Sequence, residues 1–467
     1  MVDVVIVGGG SAGCTLAGRL TDRPGRSVLL LEAGPLGSLA ELRDVTSLAA
    51  TAPRHPRNWA YPAELRPGNH HIVPRGKGLG GSGASNGANW TRATPADADG
   101  WGAPGWTYAD LLPYYVRSEH DLDINGPLHG DRGPVPVVRP AGDLRHPAVD
   151  RFLTAASALG FPAEPDKNGG SPPGAGLVPS NSRDGLRIDA ATAYLVGDRP
   201  GLTIRGLAPV TRVLFDGDRA CGVVLRSGEI IEAGEVVLCA GAVATPQLLM
   251  VSGIGPGGDV CDLPGVGRDW SDHPSVYVPF ADVDHGAHPQ APGTQVALNL
   301  DCGADPAGDA EVLMFVRPFV PGGDLHLMCA LQAPDSRGTI EIVPGDARPR
   351  ISYDYLRTEH DRRRLRHAIR IAAELLRAGL GARTAPDGDV LGNDRALDGW
   401  IAENLTTSVH LCGSAGIGRV VDAELRVFGV EGLRVADTSV LPTVPRRGPS
   451  ATAVAIGEKA ADLLTSS

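Results

Sequence analysis

The chain has 467 residues, 42% hydrophobic and 21% charged, proportions that fit a soluble globular protein too long for a single domain. Lys+Arg of 43 against Asp+Glu of 54 gives a formal net charge of -11, which argues against nucleic acid or an anionic membrane as the main partner. No apolar run reaches the roughly 18 residues of a transmembrane segment, and the 7 cysteines form no CxxC pair, which speaks against a zinc ribbon or a disulfide framework and fits a reduced, cytoplasmic compartment.

The first expected element is a strand at Val4 to Val7, a continuous apolar run suited to burial on both faces. No basic leader precedes it, so no signal peptide is expected. Gly8, Gly10 and Gly13 end the strand in a GxGxxG turn, and a helix with Leu16 and Leu20 on one side follows. A second buried run, Ser27 to Leu31, stops at Glu32. This is a dinucleotide fingerprint in a βαβ setting. Gly8 permits the tight turn, Gly10 lets backbone approach a pyrophosphate, and Gly13 lets helix and strand pack closely. The helix opening at Ser11 and Ala12 offers unpaired N–H groups to the phosphates. Glu32 would accept from ribose hydroxyls and repel a 2′-phosphate, which disfavours NADP; the pattern does not separate NAD from FAD.

From Gly34 to His70 we expect an irregular polar stretch covering the cofactor. The glycine-rich run from Gly76 to Trp90 implies backbone lying close against a flat or charged ligand. Short strands are expected at Leu202–Arg205, Val210–Asp216, Cys221–Arg226, Glu229–Glu232 and Glu235–Leu238, with a hairpin at Arg226-Ser227-Gly228. The last of these, a buried run, reads as a return to the nucleotide-binding sheet. A helix with Pro246 in its first turn follows. Residues 271–350 read as antiparallel sheet. Residues 359–383 form the clearest amphipathic helix, with Arg362-Arg363-Arg364 as a solvated face. A terminal helix runs from about Ser450 to Leu464. The expected fold class is α/β (α+β overall): a Rossmann-like nucleotide-binding domain from residues 1–120, 200–270 and 405–467, and an antiparallel-sheet substrate domain from 121–199 and 271–404.

By its motifs the chain resembles the glucose–methanol–choline (GMC) family of flavin oxidoreductases. The cluster Gly76 to Trp90 with Thr91-Arg92 is similar to that family's first signature, departing at Gly83 and Ser85. The second signature is matched by Gly241-Ala242, Thr245-Pro246, Leu248-Leu249 and Ser252-Gly253-Ile254-Gly255. Leu263 to Asp269 with Asp272-His273-Pro274, and Leu433 to Val440, are also similar to family segments, in the same order. The resemblance implies extended FAD. Gly8, Gly10, Ser11, Ala12 and Gly13 would hold its pyrophosphate, and Glu32 with Ala33 its adenosine ribose. Val210 would lie near the adenine. Gly80, Ser82, Asn86, Gly87, Ala88 and Asn89 would run along phosphates and flavin, with Ala240, Asp437 and Ser450 nearby. Trp59 looks like a family tryptophan close to the flavin. Some relatives attach FAD through a histidine at the position of Ser85, so serine there implies noncovalent FAD.

The implied reaction is oxidation of a small-molecule CH–OH donor, with electrons passed to oxygen, a quinone or another carrier. It needs a base beside the substrate hydroxyl. The family uses a histidine in a segment similar to Val409-His410-Leu411-Cys412-Gly413-Ser414, which makes His410 the candidate base; an imidazole titrates near neutrality. Nothing in the spacing of the other histidines, including His70-His71 and His273, indicates a metal site. The N-terminus of the terminal helix, at Pro449-Ser450-Ala451, would stabilise negative charge on the reduced flavin. The family's usual second histidine or asparagine is missing. Arg446-Arg447-Gly448-Pro449 stands there, and ungapped alignment puts either Gly448 or Arg447 in its place. Arg447 is expected as an active-site group favouring an anionic or strongly polar substrate, similar to the formate-oxidising branch. Two other readings remain open: a dehydrogenase that re-oxidises a reduced redox cofactor, as in the mycofactocin-associated bacterial members, and a GMC-fold hydroxynitrile lyase with a structural flavin.

Overall fold

The computed structural model describes every residue except 1, 24, 282–285, 287, 304, 321, 344–347 and 466–467. Val2–Val7 and Val28–Leu31 pair in parallel, Val4 opposite Val28 and Val7 opposite Leu31, and the helix Ser11–Thr21 crosses between them. Leu202–Arg205 extends this sheet on one side in parallel, and Ile230–Leu238 on the other. Leu433–Val435 adds a further parallel strand beside Ile230–Leu238. At its centre, Val4 to Val7, Val28 to Leu31 and Val236 to Leu238 are continuous buried apolar runs, as a sheet covered on both faces requires.

The two strands expected between Glu229 and Leu238 are one. Ile230 to Glu232 pairs antiparallel with Arg219–Leu225, whereas Ala233 to Leu238 pairs in parallel with Val2–Val7. The change of partner at Ala233-Gly234, and not a break in the chain, interrupts the hydrophobic pattern. Arg219–Leu225 in turn pairs with Val210–Asp216.

Three other expectations are corrected. The stretch from Gly34 to His70 is not irregular throughout, because Tyr61–Arg66 and Asn69–Val73 form a hairpin that joins Arg350–Ser352 through Ser352 and Glu64. The helix containing Pro246 spans Gly241–Val251, so the proline lies in its interior. Proline cannot donate to the carbonyl four residues back, and Ser414 Oγ donates to that carbonyl, Ala242's, at 2.6 Å. In the amphipathic helix Glu359–Leu375, Arg364 is buried against Asp361 at 2.6 Å and Asp309 at 3.3 Å, not solvated.

The second large sheet is antiparallel, with the order Ala382–Arg383, Pro274–Ala281, Leu325–Leu331, Ala310–Phe315, Thr294–Leu300 and Ala175–Leu177. Thr406–Thr407 also pairs with Pro274–Ala281, so residues just past 405 contribute to this sheet. Alternation sorts its side chains. Val276, Val278, Leu327, Cys329 and Val312 join the core with helices Pro147–Ala158 and Glu359–Leu375. Tyr277, Ala297, Leu313, Phe315, Met328 and Ala330 form a separate apolar layer on the opposite face.

The helix Ser450–Thr465 packs along Ser11–Thr21. At its centre Glu458, fully buried, takes Arg19 at 2.9 Å, Arg117 at 2.7 Å and the Tyr194 hydroxyl at 2.6 Å. One carboxylate thereby joins three segments that are far apart in sequence.

Candidate active site

The glycine turn after the first strand is built as its sequence requires. A Cβ on Gly13 would run into the Gly8 carbonyl, and Gly8 has φ 109. At Gly10 a Cβ would meet nothing within 4 Å. The helix behind it starts with Ser11, Ala12 and Gly13 and has neither a side-chain cap nor an acid in its first turn. This open, uncapped N-terminus fits a pyrophosphate. Glu32 is buried, accepting from Gly9 N at 2.9 Å, Gly34 N at 2.7 Å and Gly78 N at 3.0 Å. It thus draws the two glycine-rich segments together, with half-buried Ala33 beside it. Gly80 N completes the contact by donating to Gly9 O at 2.7 Å.

The other expected cofactor residues are held by their own contacts, several of them along the glycine-rich loop. Ser82 Oγ accepts from Gly76 N at 3.0 Å. Asn86 accepts from Ala88 N and from Arg187, and donates to Ser450 Oγ at 3.3 Å, so the glycine-rich loop meets the start of the terminal helix. A Cβ on Gly87 would stand 3.8 Å from Thr294 Oγ1, and Asn89 accepts from that hydroxyl at 2.6 Å, a tie to the second sheet. Ala208 N donates to Glu32 O, which sets Val210 two residues beyond. Ala240 precedes the helix Gly241–Val251. Asp437 accepts from Gly241 N at 2.8 Å and Thr245 Oγ1 at 2.6 Å, and burial raises its carboxyl pKa. Trp59 stacks on Tyr61, centroids 6.1 Å apart, with Lys77 Nζ 4.9 Å from its ring centre.

His410 sits in a tightly held turn. Its N–H donates to Asp272 Oδ1 at 2.7 Å, and its Nδ1 lies 3.0 Å from Nδ1 of His273. The two rings meet edge to face at 5.1 Å. Burial, with Arg75 adding its charge, pushes the His410 imidazole down to about 3, so the ring is neutral at physiological pH. Burial and His410 likewise hold His273 neutral. His273 therefore has a place beside the candidate base that the sequence reading did not assign it, although Asp272-His273-Pro274 was one of the motifs in view. The residues lie 137 apart in the chain, and only the fold shows the contact.

The position opposite His410 belongs to Gly448. A Cβ built there would stand 3.4 Å from His410 Nε2 and 3.8 Å from Thr91 Oγ1. The expectation for Arg447 is corrected: its buried guanidinium donates to Glu164 Oε1 at 2.8 Å, and Glu164 also holds Lys167. Arg447 borders a separate cleft of about 370 Å³ shared with Arg92, Tyr108, Lys167 and Asn168. Glycine opposite the imidazole leaves open space where a side chain would otherwise stand. Ser408 Oγ, two residues before His410, donates to Met328 Sδ at 3.8 Å, which brings the apolar face of the second sheet over this turn.

The GMC oxidoreductase sequence profiles match residues 2–275 and 334–457. An uncharacterised GMC-type oxidoreductase of Rhodococcus erythropolis is 40% identical, covering 99% of this chain and 98% of the relative. The oxygen-dependent choline dehydrogenase of Pseudomonas putida KT2440 is 35% identical over 98% of this chain and 93% of its own. Pyridoxine 4-oxidase from Mesorbium loti superposes with a TM-score of 0.91 at 29% identity, covering 100% of both chains. GMC oxidoreductases are FAD-binding enzymes that act on alcohol-type donors, and no described helix here is long and apolar enough to cross a membrane. In sequence and in fold alike, the chain belongs to the GMC oxidoreductase family.

Proposed function

We propose that this protein is an FAD-dependent oxidoreductase that removes a hydride from a CH–OH carbon, with His410 as the general base. The observation that carries this reading is the geometry of the His410 ring, engaged at Nδ1 by His273 and facing the space at Gly448 with Nε2. One proton bridges the two Nδ1 atoms. With His410 as its donor, Nε2 keeps a lone pair, the form a base requires. A substrate hydroxyl entering beside Gly448 gives its proton to Nε2, and the carbon becomes a carbonyl as its hydride leaves. Bound FAD would supply the two-electron acceptor.

The chain's own groups do the rest. The uncapped Ser11–Thr21 N-terminus and Glu32 would hold pyrophosphate and ribose, and Ser85, lacking a histidine's nucleophilic ring, leaves the flavin noncovalent. Tyr277, Leu313, Phe315 and Met328 offer the donor an apolar wall. That wall, and the pyridine alcohol named in pyridoxine 4-oxidase, favour a donor with an uncharged aromatic or alkyl body.

The test is a visible spectrum of purified protein, recorded anaerobically with aryl and alkyl alcohols, hydroxy acids and reduced carriers, then again in air. A flavin band bleached by a donor, at a rate that collapses in His410→Ala, is the expected result. Recovery in air then distinguishes oxidase from dehydrogenase. No flavin after reconstitution with FAD, or equal bleaching in His410→Ala, overturns the reading; cyanide release from a cyanohydrin without bleaching would make the protein a lyase.

A further inference from the structure

Val409 adopts φ 64, the left-handed region, directly before His410. A β-branched side chain is strongly disfavoured there, and such a residue persists only where its surroundings over-determine it. Here three side chains do so. Val409 N donates to Thr407 Oγ1 at 3.1 Å, and Arg75 donates to the Val409 carbonyl. His410 N donates to Asp272 Oδ1 at 2.7 Å, and the same oxygen takes His273 N at 2.7 Å. The second Asp272 oxygen accepts from Thr407 Oγ1 at 2.9 Å, which closes the loop of bonds. Tyr355 supports Thr407 from behind at 3.0 Å.

Asp272 is buried and bonds the main chain of both histidines rather than either ring. We infer that Asp272 is a positioning residue for the reaction: with Thr407 and Arg75 it clamps the strained Val409 turn and so fixes where the His410 and His273 rings stand. This rests on His410 being the base, and it goes beyond that reading by assigning the geometry of the base to a group that touches neither substrate nor cofactor. A relaxed Val409 would swing the His410 Cα–Cβ bond and carry Nε2 away from Gly448. Misplacement of about 1 Å at a reacting group costs roughly 100-fold in rate.

The experiment is a mutant cycle on the holoenzyme. Asp272→Ala removes both acceptors, Asp272→Asn keeps an oxygen for the two N–H groups, and Val409→Gly removes the strain, because glycine takes positive φ freely. Asp272→Ala should lower kcat about 100-fold with KM changed less than about threefold, and Asp272→Asn should recover most of the loss. In a Val409→Gly background the Asp272→Ala loss should shrink to less than about fivefold. Hydrogen exchange should quicken at least about tenfold in the peptide containing His410, while Leu325–Leu331 stays protected. Should Asp272→Ala fail to fold, Thr407→Val opens the same clamp and enters the same cycle. An equal loss in both Val409 backgrounds, or unchanged exchange at His410, overturns the inference. Full activity in His410→Ala would instead overturn the base assignment, leaving the exchange result to judge the clamp alone.

Discussion

Gly448→Ala is the smallest change that tests the open space beside His410. The added carbon would sit 3.4 Å from Nε2, 3.5 Å from Cε1 and 3.8 Å from Thr91 Oγ1. Those distances demand shifts of only a few tenths of an ångström, and Gly448 is not among the positive-φ glycines, so alanine suits its backbone. Stability should therefore hold or rise slightly, since Gly→Ala at a compatible site gains about 0.4–1 kcal/mol through the unfolded chain. Catalysis should not hold. A proton donor must come within about 2.6–3.2 Å of the base, and a methyl group 3.4 Å from Nε2 occupies the approach to it. General-base catalysis contributes about 100-fold or more, so kcat/KM should fall by about that factor, near 2.7 kcal/mol. The assay is anaerobic stopped-flow bleaching of the flavin, paired with a thermal melt of the same preparation. A melting point within about 3 °C of the parent and a kcat/KM within twofold would together refute the placement of the substrate hydroxyl.

Three further outcomes follow from features outside that space. Glu458→Ala should cost about 2–3 kcal/mol in urea unfolding, at or just below the low end of the roughly 3–5 kcal/mol for a broken buried pair because Arg19 and Arg117 both reach solvent; a loss below about 0.5 kcal/mol would show the carboxylate is dispensable. His129 is raised to about 11 by hydrogen bonds to Asp121, Asp166 and Glu119, so its stabilisation is full below its unfolded value near 6.5 and drains away as pH climbs toward 11. His129→Asn should therefore flatten the alkaline decline, by up to about 1.4 kcal/mol per pH unit between pH 7 and 9, and equal slopes in the two proteins would contradict the shift. Ser414→Ala strands the Ala242 carbonyl that Pro246 leaves free, and should lower stability by about 1–2 kcal/mol with flavin binding intact.

What the sequence made legible was local. The GxGxxG turn, the buried runs on either side of it and the strand at Val236 to Leu238 are each written in a few adjacent residues, and each is where the pattern puts it. The errors came where a distant partner decides. Ile230–Leu238 is one strand because it has two neighbours, and Pro246 is tolerated inside a helix because Ser414 donates to the Ala242 carbonyl, 172 positions away, at 2.6 Å. Arg364 disappears into the core because Asp309 waits there. At the site itself, alignment reduced the residue opposite His410 to Arg447 or Gly448, but a one-residue ambiguity turns a side chain through a large angle. The approach of Gly448 to His410 Nε2 and the bond of Arg447 to Glu164 together separate the two.

The Glu458 junction also bears on how the protein is made. Its partners Arg19, Arg117 and Tyr194 leave the ribosome long before residue 458 does, as does most of the parallel sheet that Leu433–Val435 later extends. The half built on the parallel sheet is therefore started first and finished last. During translation its early helices carry an open seam, with Arg19 and Tyr194 awaiting their shared acid. A nascent chain stalled before residue 450 would expose that seam to chaperones, and completion of the terminal helix would act as the step that commits the protein to its cofactor-ready form.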